Sequence, residues 1–430
     1  MQRSTATCRS PRLPRLGARA LPLLAITALV AAGPVNAEDF ELPPLPNEAQ
    51  VYPAVVPIPT PKHDPWYADP VDLTGYANGE VIRSRVVQTH VLGIPAPVHT
   101  TQLLLRTSDV HDNPIATATT VLIPGIPWLG PGARPLISYQ EAIDSLGQQC
   151  NPSYTLRAGI QKEVAIMGQF LSAGAAVVTT DFDGKENTIM SPSEGRMVLD
   201  GIRAAKRGGL GLEAAPVGLW GYSGGGNASA SAAEQRRHYA PELEIKGSVQ
   251  GGIPGDKVAI APFAISGRQP QANFTGWLAV LGLAREYPEF EQQLQQYLTP
   301  EGRRVAEDLR ERCLYTSVAT TLLRPMAEYL THPDAALAAA LPALTAASFG
   351  APENTPDMPL LMWHSTTDQL LPAELAIDKI SADYCARGVN MRMIRVPFSE
   401  HISAEIVPEL GTVAWLLAVA AGADPGPRVC

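Results

Sequence analysis

The chain is predicted to fold as an α/β protein with a mostly parallel central sheet and an inserted helical stretch. Three observations carry that expectation. After residue 134, short runs that are apolar on both faces alternate with helical stretches, as buried parallel strands do. Before them, between Gly79 and Ile123, lie alternating runs of the antiparallel kind. From about Asp256 to Ala351 no convincing strand appears, several helices are signalled, and strand-like runs then resume.

Residues 1–37 read as a secretory signal. They hold Arg3, Arg9, Arg12, Arg15 and Arg19 and no acid, then the apolar run Leu21 to Ala32 and a small-residue cleavage site at Val35-Asn36-Ala37. The run is too short to span a bilayer. Its removal takes the formal net charge from −9 to −14, which argues against nucleic acid or an anionic membrane surface as partner. No later segment is expected to cross a membrane, and Val413 to Ala423 reads as a buried helix. Without Cys8 of the leader, Cys150, Cys313, Cys385 and Cys430 remain. An even count in an exported protein predicts two disulfides, with three pairings open. No C-x-x-C or H-x-x-x-H spacing points to a metal.

Residues 38–75 are rich in proline and read as an extended segment wrapping the body. Antiparallel strands follow, at Glu80 to Val87 and Thr101 to Arg106. The runs expected to build the parallel sheet are Arg134 to Tyr139, Ala175 to Thr180, Val217 to Trp220, Pro359 to Trp363 and Met391 to Val396. Within the insertion, Thr299-Pro300-Glu301 forms a plausible N-cap and first turn of a helix running to Cys313, and Asp334 to Ala347 is rich in alanine and leucine. The expected organisation is a core over 38–255 and 352–430, with a helical lid or cap over 256–351.

Gly221-Tyr222-Ser223-Gly224-Gly225 fits G-x-S-x-G, the nucleophile elbow of serine hydrolases. The spelling is weak alone, since a glycine-rich loop can carry a passive serine. Its setting strengthens it: a strand-like run leads in, and a small-residue helix start, Asn227 to Glu234, leads out. Such a serine needs a base, and the base needs an acid to fix its tautomer. In α/β-hydrolases the chain order is Ser, then Asp or Glu, then His. Asp368 follows the run Pro359 to Trp363, and His401 follows the run ending at Val396-Pro397-Phe398. His364 precedes Asp368, the wrong order, and reads as structural. Asp181 and Asp183 precede the serine and read as ordering a loop near the site. The oxyanion needs two donors: the N–H of Gly224, and one from the loop Ser138 to Ser145, where pattern reasoning does not choose.

With these stretches the chain resembles the secretory lipase (LIP) family. The likeness runs from Pro65-Trp66-Tyr67 to the C-terminus. It is carried by Gly79 to Arg85, Ser138-Tyr139-Gln140 with Asp144, Cys150 to Tyr154, Leu199 to Ala204, the serine motif, Tyr239 to Leu243 and Glu400 to Ile406. The resemblance implies an α/β-hydrolase fold with a helical lid. It implies Ser223, Asp368 and His401 as triad, Asp144 and Gly224 as oxyanion-hole residues, and the pairs Cys150–Cys313 and Cys385–Cys430. No cofactor or metal is implied. The inserted helices match the family little beyond Cys313, so acyl-chain preference and interfacial behaviour do not come with the resemblance.

The expected function is therefore a secreted serine lipase or carboxylesterase acting on acyl esters. The alternatives are acyl transfer to an alcohol or sugar by the same acyl-enzyme, and an inactive fold kept for binding. Phe263, Phe274, Trp277, Leu278 and Leu281 are candidates to line an acyl groove and meet a lipid surface; the competing reading is that they pack on the body.

Overall fold

The computed structural model describes residues 45–430, which form one body. The leader expected over 1–37 and its cleavage site near Ala37 lie outside the described residues. The strands are β1 Val81–Val87, β2 His90–Val91, β3 Ile94–Pro95, β4 Val98–Ser108, β5 Pro114–Pro124, β6 Leu136–Gln140, β7 Ala176–Thr180, β8 Val217–Tyr222, β9 Ile245–Gly251, β10 Leu360–Ser365 and β11 Met391–Val396. The main sheet runs β1-β4-β5-β7-β6-β8-β9-β10-β11, and β2 pairs with β3 in a separate ribbon. Pairings are antiparallel from β1 through β4 and β5 to β7. From β7 to β11 they are parallel.

The helices are α1 Glu48–Val55, α2 Pro152–Ala158, α3 Val164–Ser172, α4 Ser193–Arg207, α5 Gly224–Tyr239, α6 Lys257–Ile265, α7 Asn273–Glu286, α8 Pro288–Tyr297, α9 Pro300–Leu309 and α10 Leu314–Thr321. They continue as α11 Pro333–Ala347, α12 Ala373–Ala376, α13 Asp378–Ala386, α14 Ser403–Ile406 and α15 Glu409–Ala420.

Alternation along the strands feeds two core layers. From β8, Leu219 joins Met197 and Ile202 of α4 and Ala228 of α5 on one face. Trp220 and Tyr222 join Phe170 of α3 and Leu416 of α15 on the other. Tyr139 of β6 stacks on Trp220, with centroids 4.9 Å apart and planes 9° apart. Of the segment Val413 to Ala423, the part up to Ala420 is helical and belongs to α15, with Val413, Leu416, Val419 and Ala420 buried as expected; the last three residues lie beyond the helix.

Helices α6 to α11 lie between β9 and β10 and share their own core, which includes Trp277, Leu281, Leu294, Leu309 and Leu344. Thr299 caps α9 by accepting from the Gly302 N–H, but the helix stops at Leu309, short of Cys313. Against the expectation that no segment after the leader would qualify, Pro333–Asn354 is long and apolar enough to cross a membrane by length and composition alone. Its α11 portion turns Ala336, Ala340, Ala343, Leu344 and Ala347 into the core of the inserted helices.

Two elements depart from expectation. Strand β9 was not foreseen, because Ile245-Lys246-Gly247-Ser248-Val249-Gln250-Gly251 holds only two large apolar residues. Its glycines make room for tryptophans: a β-carbon on Gly251 would collide with the Trp363 indole. The proline-rich segment is not wholly extended. Asn47 and Gln50 form a capping box that starts α1. Glu48 then accepts from the Cys313 N–H at 3.0 Å and from Thr316 Oγ1 at 2.7 Å, fastening this segment to the inserted helices.

The cysteines pair as Cys150–Cys313 and Cys385–Cys430. The first bond links the loop after β6 to the start of α10. The second pins the C-terminal tail, whose Val429 N–H donates to Met391 O of β11 at 2.9 Å.

Candidate active site

Ser223 stands at the turn from β8 into α5, at φ 52° and ψ −119°. A non-glycine residue held there stores about 1–3 kcal/mol of strain, which the surrounding structure must impose. The imposing contacts are backbone approaches that only glycine permits. A β-carbon on Gly221 would collide with the carbonyl of Gly225, and one on Gly225 with the carbonyl of Gln140 in β6. Gly225→Ala is therefore expected to part α5 from β6 and destabilise the fold by about 3 kcal/mol. Displacing Ser223 by about 1 Å would lower kcat roughly 10²-fold. Thermal unfolding and ester hydrolysis check this; an alanine variant with parental stability and rate would refute it.

The three sequence-predicted residues meet although 178 positions separate the serine from the histidine. Ser223 Oγ lies 2.8 Å from His401 Nε2. His401 Nδ1 lies 2.7 Å from Asp368 Oδ2. Asp368 Oδ1 accepts from the N–H groups of Leu370 at 3.0 Å and Leu371 at 2.8 Å. The histidine's own backbone is held too: Gln369 Oε1 accepts from His401 N–H at 3.0 Å, and Tyr222 OH donates to His401 O.

These contacts set the charges. Burial of His401 disfavours the imidazolium, but the hydrogen bond and negative charge of Asp368 outweigh it, so the imidazole is more basic than usual. Burial of Asp368 pushes its pKa up, and the opposing hydrogen bond and charge of His401 win, holding it below the usual range. The pair is a buried carboxylate behind a histidine primed to take a proton.

His364 takes the structural place expected of it. Its Nε2–H donates to Leu371 O at 2.8 Å and stands 3.5 Å from Asp368 Oδ2, while burial lowers its pKa. Asp181 accepts from Ser153 N–H at 2.9 Å and Ser153 Oγ at 2.6 Å, fixing the start of α2. Asp183 is fully buried, with neither carboxyl oxygen hydrogen-bonded.

Asp144 faces Gly224 so closely that a β-carbon on Gly224 would strike Asp144 Oδ1. Asp144 is also left-handed, at φ 45°. Burial raises its pKa, with the charges of Lys162 and His401 opposing. No acceptor among the described residues takes the backbone N–H of Asp144 or Gly224.

Two residues that sequence reasoning missed hold this loop. Lys162 Nζ donates to Ala142 O, and Glu163 Oε1 accepts from Ala142 N–H at 3.0 Å, so the peptide units on both sides of Ala142 are gripped. No spacing rule signals such a clamp, since its partner is backbone about twenty residues upstream.

Ser223, His401, Asp144, Lys162 and Glu163 open into a cavity of about 460 Å³. Its far walls are apolar, with Phe274, Leu278, Leu314, Val318 and Leu344 from the inserted helices. Of the residues proposed for a groove, Phe274 and Leu278 line it. Trp277 and Leu281 are fully buried in the core of the inserted helices, Trp277 against Tyr329 with ring centroids 5.4 Å apart, and Phe263 packs against that core. Among the described residues no cluster of potential metal ligands is present.

The sequence profile of the family described as Secretory lipase matches residues 151–426. A Mycobacterium tuberculosis protein named "Probable inactive lipase" is 36% identical over 387 residues, covering 83% of this chain and 81% of that protein. Lipase A of Moesziomyces aphidis is 31% identical, covering 82% of this chain and 79% of its own length. The crystal structure of Candida antarctica lipase A in its closed state superposes with a TM-score of 0.78 at 28% identity, covering 86% of this chain and 89% of that one. A match extending from the loop after β6 to beyond α15, together with relatives that span most of both chains, means that this chain belongs to the secretory lipase family.

Proposed function

We propose that the protein is a secreted serine lipase or carboxylesterase that hydrolyses acyl esters through an acyl-enzyme. The observation that carries this reading is the relay from Asp368 through His401 to Ser223 Oγ at the wall of a largely apolar cavity. Ser223 Oγ attacks the ester carbonyl as His401 Nε2 takes its proton. His401 returns that proton to the leaving alkoxide, which departs as the alcohol. His401 then takes a proton from water as it attacks the acyl carbon, and returns that proton to Ser223 Oγ as the acyl–oxygen bond breaks and the acid is released. Asp368 holds the imidazole's tautomer and faces the imidazolium. The free N–H groups of Gly224 and Asp144 receive the oxyanion. The acyl chain lies against Phe274 and Leu278, residues 256–351 act as the lid or cap, and export follows cleavage near Ala37.

A fluorophosphonate probe should label Ser223, and a p-nitrophenyl ester series from short to long acyl chains, with an emulsified triglyceride, should read the substrate range. Long-chain and emulsion activity mark a lipase; activity on short dissolved esters alone marks a carboxylesterase. A folded protein that neither labels nor hydrolyses any of them refutes the reading and would align it with the relative named inactive.

An ionised Asp144 would repel the oxyanion, so the carboxyl serves only while protonated. Burial favours that neutral form. Activity is then lost as pH rises through the Asp144 pKa. Asp144→Asn, neutral at every pH, is expected to keep kcat within about tenfold and to extend activity to higher pH. A pH–rate profile checks this. Near-complete loss of activity in the folded variant would contradict it.

A further inference from the structure

The residues around the catalytic histidine carry an apolar ridge that the fold leaves uncovered. Phe398 is 99% exposed, Ile402 56%, Ile406 63%, Val407 68% and Leu410 74%. Their neighbours in sequence, Ala404, Val413 and Leu416, are buried in the body, so the segment is amphipathic with its apolar side outward as well as inward. Folded soluble surfaces seldom leave such a run bare without a partner.

The ridge is continuous with the cavity mouth. Ile402 lines the cavity while more than half exposed, and so does Tyr315 of α10, 72% exposed. Of the residues expected to meet lipid from the inserted helices, Phe274, Trp277, Leu278 and Leu281 are buried and Phe263 is half-buried, so they do not make up this exposed ridge. Charge narrows the occupant. No Lys or Arg lies between Arg395 and Arg428, whereas the exposed Glu400 and the half-buried Glu405 do. Anionic headgroups are therefore not attracted, and an uncharged apolar boundary is what this face fits.

We infer that Ile402, Ile406, Val407 and Leu410, with Phe398 and Tyr315, seat the enzyme on the surface of neutral lipid, so that the cavity mouth opens against it. The inference rests on the ester-hydrolase reading for its purpose, but not for its test. In a Ser223→Ala background, where lipid is not consumed, the protein should cosediment with pure phosphatidylcholine vesicles. Ile406→Ser/Val407→Ser/Leu410→Ser should bind at least tenfold more weakly. A Leu129→Ser control should bind like the parent, because exposed Leu129 lies near Gly174, at the sheet end opposite Ser223.

In the active background the triple variant should hydrolyse dissolved p-nitrophenyl butyrate at the parental rate. As a second reading that does not depend on loss, Val407→Trp should show a vesicle-dependent blue shift beyond that of the parent. Equal binding by the triple variant and parent overturns the inference. So do binding that requires phosphatidylserine and vanishes in high salt, an emission from the Val407→Trp variant that shifts no more than the parent's, and a parental dimer that the triple variant dissociates. Failure to hydrolyse the dissolved ester defeats the hydrolase reading instead, and leaves the vesicle result standing by itself.

Discussion

Ser223→Ala is expected to lower kcat on a dissolved p-nitrophenyl ester by about 10⁴-fold or more. It should also abolish fluorophosphonate labelling without unfolding the protein. Among the described residues the side chain makes one hydrogen bond, at 2.8 Å to His401 Nε2, which puts its hydroxyl within reach of the proposed base. What survives is whatever the free N–H groups of Gly224 and Asp144 contribute to water attack. Stability reads out the strain at the elbow. Alanine keeps a β-carbon at φ 52°, so it should change Tm little. Ser223→Gly relieves the left-handed strain and should raise Tm, while being as inactive as alanine. A Ser223→Ala enzyme retaining more than a few percent of its rate would remove Ser223 from the mechanism.

The local rules that made these residues legible are strict. A nucleophile at a strand-to-helix turn and a loop acid or base after a strand each have a position in the chain pattern, so Ser223, Asp368 and His401 could be read before any coordinates. The loop proposed to receive the oxyanion could not. Which N–H after β6 is free depends on Asp144 adopting φ 45° and on Lys162 and Glu163 gripping Ala142, all of them long-range contacts. The same limit applies to the inserted helices. Apolar spacing on α7 shows that a face is buried but not against what. Trp277 and Leu281 turned to other helices while Phe274 and Leu278 reached the cavity. Strand β9 escaped because its small residues serve the tryptophans beside it, so the apolar signal sits on its neighbours. In each case tertiary packing decides a question that periodicity leaves open.

The fold also explains why the first disulfide joins the parts it does. Leu146 and Gly147 N–H both donate to Arg312 O at 3.3 Å, next to the Cys150–Cys313 bond. The segment bearing Asp144 is thereby held from the inserted helices at one end and by Lys162 and Glu163 at the other. In the proposed mechanism a donor to the oxyanion gains from such preorganisation, because it need not reorient as charge develops.

Asp368→Asn is the second change expected to cost about 10⁴-fold in kcat, and the geometry says why. Asp368 Oδ1 is committed as an acceptor by the N–H groups of Leu370 and Leu371. In asparagine the carbonyl oxygen must stay there, which puts the amide NH₂ in the place of Oδ2, facing His401 Nδ1. That NH₂ donates where the carboxylate accepted. It selects the tautomer with the proton on Nε2, which points a donor at Ser223 Oγ in place of the base. The His364 Nε2–H, 3.5 Å from Oδ2, would then also meet a donor, so the buried histidine gives no rescue. The pH profile should move in a defined direction. Asp368 is what raises the pKa of His401 against burial, so its loss lowers that pKa and the acid limb of kcat shifts to lower pH as the plateau falls. Steady-state rates across the acid range measure both effects. Less than a tenfold loss, or an acid limb that stays in place, would show that His401 takes its orientation and basicity from somewhere other than Asp368.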